Sequence, residues 1–137
     1  MKIKRVDSTI STYKLQESKE YYMRYFGFRL VFESDWYIEL IAPDISTAGI
    51  SFTLPQREEG EFFNGKGLIL SFEVEDVDAE YRRLKADGLE IYQELQDKPW
   101  GERSFVVDDP NGVHVYLYTL IAPTPEYQEI YDFYKNK

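Results

Sequence analysis

The chain has 137 residues and 43% hydrophobic content, enough for one domain with a real core and too little for two independent ones. Its net charge of −9, from 25 acidic against 16 basic side chains, argues against nucleic acid, whose phosphates require clustered Lys and Arg. The absence of cysteine excludes disulfides, thiolate metal ligands and cysteine nucleophiles together, and suits a reducing compartment.

The first ten residues, MKIKRVDSTI, lack the apolar run of a signal peptide, and no window approaches a membrane span, so the expectation is a soluble cytoplasmic protein with no membrane partner. Aromatics reach 17%, with 12 Tyr, 9 Phe and 2 Trp. Rings with a polar tip serve a binding cleft or an interface as well as a core. An acidic surface of this kind keeps a protein in solution and also attracts cationic small molecules.

In chain order, Lys4 to Tyr13 alternates weakly and predicts a strand with one polar face. Gln16 to Phe26 carries Tyr21, Tyr22, Tyr25 and Phe26 at helical spacing, and Gly27 ends it as a left-handed cap. Phe28 to Glu33 and Trp36 to Ile41 form a hairpin, and Gly49 to Leu54 adds a strand before a charged loop over Pro55 to Lys66 that holds the Glu58-Glu59 pair.

The pattern then begins again. Leu68 to Val74 is a strand, Asp76-Val77-Asp78 opens a helix with carboxylates at its positive end, and three strands follow over Leu89 to Leu95, Arg103 to Asp108 and Val113 to Leu120. Asp109-Pro110-Asn111-Gly112 supplies the last turn, with Pro at its second position and Gly at its fourth. The matching order predicts two βαβββ modules in one domain over 1–137, module one about 3–54 and module two about 67–121, followed by an amphipathic helix over about 124–136. The fold class is α+β, an open curved sheet around a cleft.

Several of these segments resemble the vicinal oxygen chelate superfamily, which includes glyoxalase I, extradiol dioxygenases and the fosfomycin and bleomycin resistance proteins. Glu17 to Tyr22 with Phe26-Gly27-Phe28 is similar to its first helix and the "FY..LGF" that follows; Phe72 to Ala79 is similar to the start of its second module, and 109–112 to its "DP.G" turn. The resemblance implies the fold; one fold hosts many chemistries, so function must come from the site.

Catalytic members hold a divalent metal with His and Glu from four strands. Carried over one at a time, those positions fall on Asp7, Ser51, Ile69 and Tyr116, of which only Asp7 is an ordinary ligand. His114, the one histidine, shares the face of Tyr116 two residues on and adds at most a second donor, where catalytic zinc takes three protein ligands. The expectation is therefore no metal and no cofactor, with His114 a packing or hydrogen-bonding residue. The competing reading is a metal-dependent lyase or dioxygenase of the glyoxalase type, with an altered metal site around Asp7 and His114.

Pro99-Trp100-Gly101 followed by Arg103 looks like the bleomycin-resistance branch, whose Trp in this motif helps wall the drug groove. Trp36 offers a second indole, and two aromatic walls can sandwich a planar ligand or hold a cation over a ring face. What the resemblance implies is a homodimer that sequesters a small molecule, with Trp36, Trp100, Arg103, Tyr116, His114, Asp7 and Tyr13 as candidate ligand-binding residues and none assigned to catalysis. Core packing is the other reading of Trp36, and a solvated strand-end carboxylate that of Asp7.

Overall fold

The computed structural model describes residues 1–55 and 63–136; the Glu58-Glu59 pair, with most of the loop expected around it, lies outside the described residues. The chain divides into two compact units, Met1–Lys66 with Asp109–Gly112, and Gly67–Asp108 with Val113–Lys137.

The first unit runs β1 (Val6–Ser11), α1 (Leu15–Phe26), β2 (Arg29–Glu33), β3 (Tyr37–Ile41) and β4 (Ala48–Thr53). Its sheet has the order β1-β4-β3-β2, with β1 parallel to β4 and the other pairs antiparallel. Alternation decides which side of this sheet is dry. Ile38 and Leu40 of β3 and Ile50 and Phe52 of β4 are buried, and Tyr22 of α1 packs on Phe52 with ring centroids 5.6 Å apart. Leu15, Ser18 and Tyr22 recur at helical spacing on the buried stripe of α1. Gly27 ends the helix at φ +70°, where its amide and that of Phe28 donate to the carbonyls of Met23 and Tyr22.

The tip of the last hairpin groups with this unit. Asp109 is buried; its Oδ2 accepts from the Tyr22 hydroxyl at 2.8 Å and its Oδ1 from the Asn111 amide at 2.7 Å. Burial first, and then the charge of Asp109, push the Tyr22 hydroxyl well above the ordinary tyrosine range, so it remains a donor. Asn111 extends the network to Thr12 (2.6 Å) and Ser18 (2.9 Å).

The second unit repeats the order: β5 (Ile69–Glu73), α2 (Val77–Ala86), β6 (Ile91–Lys98), β7 (Glu102–Asp108) and β8 (His114–Leu120), in a sheet ordered β5-β8-β7-β6 with β5 parallel to β8. Asp76 caps α2, its Oδ1 accepting from the Ala79 amide at 3.0 Å. Thr119 Oγ1 accepts from the Val77 amide and donates to the Val74 carbonyl, which pins the start of the helix to β8. Val77 and Leu84 bury against Phe105, Val107, Val115 and Leu117, each chain worth about 1.5 to 3 kcal/mol when fully buried. The expected terminal helix is two pieces, a 3₁₀ turn over Pro125–Tyr127 and then α3 (Gln128–Lys135).

Both βαβββ modules and the C-terminal helix therefore stand as read from the sequence, with strand ends moved by one to three residues. Among the described residues no helix is long and apolar enough to cross a membrane.

Candidate functional site

Because Phe105, Val107, Val115 and Leu117 face α2, the pleat of the second sheet sends their neighbours to the other face. That face carries Tyr116 and Tyr118 of β8, Glu102 and Ser104 of β7, and Glu73 of β5. The register sets Ser104 and Glu73 on the two sides of Tyr118, and Ser71 beside Tyr116. The two tyrosine rings lie 5.8 Å apart.

Trp100 joins this face from the turn between β6 and β7. Gly101 beside it has φ +99°, and a Cβ there would meet Tyr131 Cδ2 at 2.9 Å and the Ile121 carbonyl at 3.0 Å, so the position requires glycine. The C-terminal segment thereby packs directly on the turn. Thr124 N donates to the Pro99 carbonyl and Ile121 N to that of Gly101, each at 2.8 Å, while Tyr127 meets the Trp100 ring edge-on at 6.3 Å. Lys98 sets its ammonium 5.7 Å from the centre of the same ring.

Electrostatically the face is negative and partly dry. Burial pushes the Glu102 carboxyl up, and the charge of Glu73 adds to this against the pull of Tyr116 and Trp100. Burial also raises Tyr116. Tyr118 is pushed up to about 12, by burial and then by Glu73, Glu102 and Tyr134. A phenol raised on folding contributes stability that is complete below pH 10 and is lost as pH rises through about 12. Ultraviolet titration is expected to show this late phenol, and Glu102→Gln to move it back toward 10; an unmoved titration would contradict the placement of Glu102.

Two oxygens on this face are buried without a hydrogen-bond partner, Ser104 Oγ and Tyr116 OH. Ser104, Glu102 and Trp100 stand close enough to Tyr116 to affect its ionisation, yet none meets its hydroxyl in hydrogen-bonding geometry. A buried, unpaired hydroxyl costs about 1 to 3 kcal/mol. Ser104→Ala is therefore expected to leave stability unchanged or raise it by up to about 1 kcal/mol. Urea unfolding checks this, and a loss of more than about 1 kcal/mol would contradict it.

The candidate residues fall in different surroundings. Trp100 and Tyr116 belong to the face just described. Arg103 lies on the opposite face, beside α2, where Asp97 (2.7 Å) and Asp78 (3.1 Å) hold its guanidinium and raise its already high pKa. His114 is on the face of Tyr116, but its Nδ1 meets Asp108 Oδ1 and its ring stacks on Tyr92 at 4.5 Å. Asp7, Tyr13 and Trp36 belong to the first unit. Asp7 pairs with Arg5 at 2.6 Å. Tyr13 lines a hollow of about 580 Å³ with Thr12, Lys14, Pro55, Phe63 and Asn64. Trp36 is not a core residue: it is 53% exposed, its ring 5.7 Å from that of Tyr37, and Phe32 flanks the same tyrosine at 6.3 Å.

The metal positions implied by the resemblance do not fit a cation. Ile69 has no donor atom, Ser51 Oγ accepts from the Tyr37 hydroxyl at 3.0 Å, Asp7 is taken by Arg5, and Tyr116 stands as a neutral phenol. Among the described residues no group of three or more His, Cys, Asp or Glu could hold a metal ion. Glu73, Glu102, Ser104, Tyr118 and Tyr134 were not singled out from sequence, although Tyr118 shares the parity of Tyr116 along β8 and Ser104 that of Glu102 along β7.

The sequence profile of the Glyoxalase/Bleomycin resistance protein/Dioxygenase superfamily matches residues 3–117. No curated protein matches the chain. Among solved structures, TnmS3, an antibiotic binding protein from Streptomyces sp. CB03234, is 22% identical over 88% of this chain and 98% of its own, with a TM-score of 0.69. TioX from Micromonospora sp. ML1 is 23% identical over 85% and 98%, with a TM-score of 0.67. A lactoylglutathione lyase from Agrobacterium tumefaciens is 17% identical over 83% and 91%, with a TM-score of 0.66. At these identities the likeness is one of fold, shared by a binding protein and an enzyme alike.

Proposed function

Since the chain belongs to the Glyoxalase/Bleomycin resistance protein/Dioxygenase superfamily, we propose that it is a metal-independent binding protein that sequesters an aromatic or cationic small molecule without turning it over. The observation that carries this reading is the face of Trp100, Tyr116 and Tyr118, where rings stand beside two buried hydroxyls that nothing in the described protein satisfies. Aromatic walls supply stacking worth about 0.5 to 1.5 kcal/mol per contact beyond burial, and unpaired hydroxyls supply direction. The antibiotic-binding neighbour TnmS3 supports the same reading. A lyase or dioxygenase with an altered metal site would need Asp7 and His114 as ligands. Arg5 and Asp108 occupy their side chains.

A homodimer accompanies this proposal. Edge strand β2 exposes Leu30, Val31 and Phe32, and with Trp36 they form an apolar surface of the kind that marks an interface. Cysteine-free composition suits the cytoplasm.

The test uses Trp36→Phe protein, in which Trp100 alone reports. Its emission is expected to be quenched by a member of a panel of planar aromatic amines and neutral aromatics, equally before and after treatment with EDTA. Quenching that required an added divalent metal, or the absence of quenching by the whole panel, would overturn the reading.

A further inference from the structure

We propose that Glu73 and Glu102 form a seat for one organic ammonium group beside the rings of Trp100, Tyr116 and Tyr118, so that the ligand of this site is an amine carrying an aromatic or apolar body. The inference rests on the proposed binding role of the second sheet and names the chemistry of what binds there.

Two carboxylates meet on this face without a counter-charge. Glu73 pairs across the ladder with Tyr118, Ser104 flanks Tyr118 from the other side, and Glu102 follows two residues along β7 with its side chain on the same face. Among the described residues neither carboxylate has an ion-pair partner within 4.0 Å. The cations that could serve are turned elsewhere: Lys98, cross-strand from Glu102, sits over the Trp100 ring, and Arg103 on the far face is held by Asp78 and Asp97. Glu73 is exposed and Glu102 half-buried; burial, and then the charge of Glu73, raise the proton affinity of Glu102, and burial with both carboxylates raises that of Tyr118.

An acidic pair alone would not identify a ligand. The second observation is independent of charge: Ser104 is fully buried, its Oγ lacks a partner, and the Tyr116 hydroxyl beside it lacks one too. An ammonium group brings three N–H donors and no acceptor. Carboxylate and hydroxyl oxygens are what it needs, and both kinds are present. An anion is excluded by the two carboxylates. A developing oxyanion is excluded on the same ground, although two free hydroxyls would otherwise suit one. A catalytic metal ion would ask for a third strong donor, which is absent among the described residues.

The rings complete the seat. Tyr116, Tyr118 and Trp100 offer faces to a cation or to the ligand's own ring. Tyr131 of α3 lies against the Gly101 turn, so the helix starts beside the Trp100 end of this face.

Calorimetric titration of the full chain with phenethylamine, phenethyl alcohol and 3-phenylpropionate compares one ring bearing a cation, a neutral group and an anion. Phenethylamine is expected to bind at least about tenfold more tightly than the alcohol, and the propionate not to bind. Glu73→Gln and Glu102→Gln, near-isosteric and checked by thermal melts, are each expected to weaken the amine about tenfold while leaving the alcohol unchanged. An amine that fails to bind, binds no better than the alcohol, or keeps its preference in both Gln variants would overturn the seat. The broader binding role would survive that result if neutral aromatics quench Trp100, so the two proposals fail separately.

Discussion

Phe105→Ala is expected to lower the unfolding free energy by about 3 to 5 kcal/mol. Phe105 is wholly buried between the second sheet and α2, with Tyr81 meeting its ring edge-on at 5.3 Å. Its cross-strand partner Leu117 and its neighbours Val107 and Val115 are equally dry, so the cavity left by truncation has stiff walls and little means of collapse. Phe105→Leu keeps most of the volume and is expected to cost about 1 to 2 kcal/mol. The adjacent Ser104→Ala, on the opposite face of the same strand, is expected to cost nothing. Urea unfolding of the three variants gives the comparison, and a Phe105→Ala loss below about 2 kcal/mol would contradict this packing.

Asp109→Ala is expected to cost about 3 kcal/mol, by a polar route. Truncation leaves the buried Tyr22 hydroxyl without its acceptor and the Asn111 amide without its turn bond. Part of that loss is offset because a buried carboxylate no longer has to be desolvated. Asp109→Asn separates the two effects: it keeps an acceptor for Tyr22 and is expected to cost about 1 kcal/mol. Equal losses in the Ala and Asn variants would mean that the negative charge, and not the bond to Tyr22, stabilises the turn.

The fold was legible because local signals agreed with one another. Gly27 stands where its positive φ is used, Asp76 caps the helix it was expected to open, and Asp109 to Gly112 form the turn between β7 and β8. The β7–β8 alternation placed Tyr116 and His114 on one face, and the structure agrees. Less of the site could be read. Arg103 resembles a motif residue in sequence, but the pleat turns it toward α2, where two acids from different elements hold it. Those partners are 25 and 6 residues away, and nothing local announces them. Glu73 and Glu102 are ordinary strand carboxylates until the register sets them around Tyr118. Trp36 reads from sequence as a ligand wall or as core; it lies just before β3, past the end of the buried row of Ile38 and Leu40, and is exposed beside Tyr37.

Everything functional here depends on the second sheet meeting its ligand through rings, carboxylates and hydroxyls, with no metal between. The most direct check is elemental analysis of protein purified without chelator. The account predicts less than about 0.1 equivalent of any divalent metal, since Asp7, Ser51, Ile69 and Tyr116 supply too few donors to retain one. One equivalent of zinc, iron, manganese or nickel, retained through dialysis and lost with binding on chelation, would contradict it.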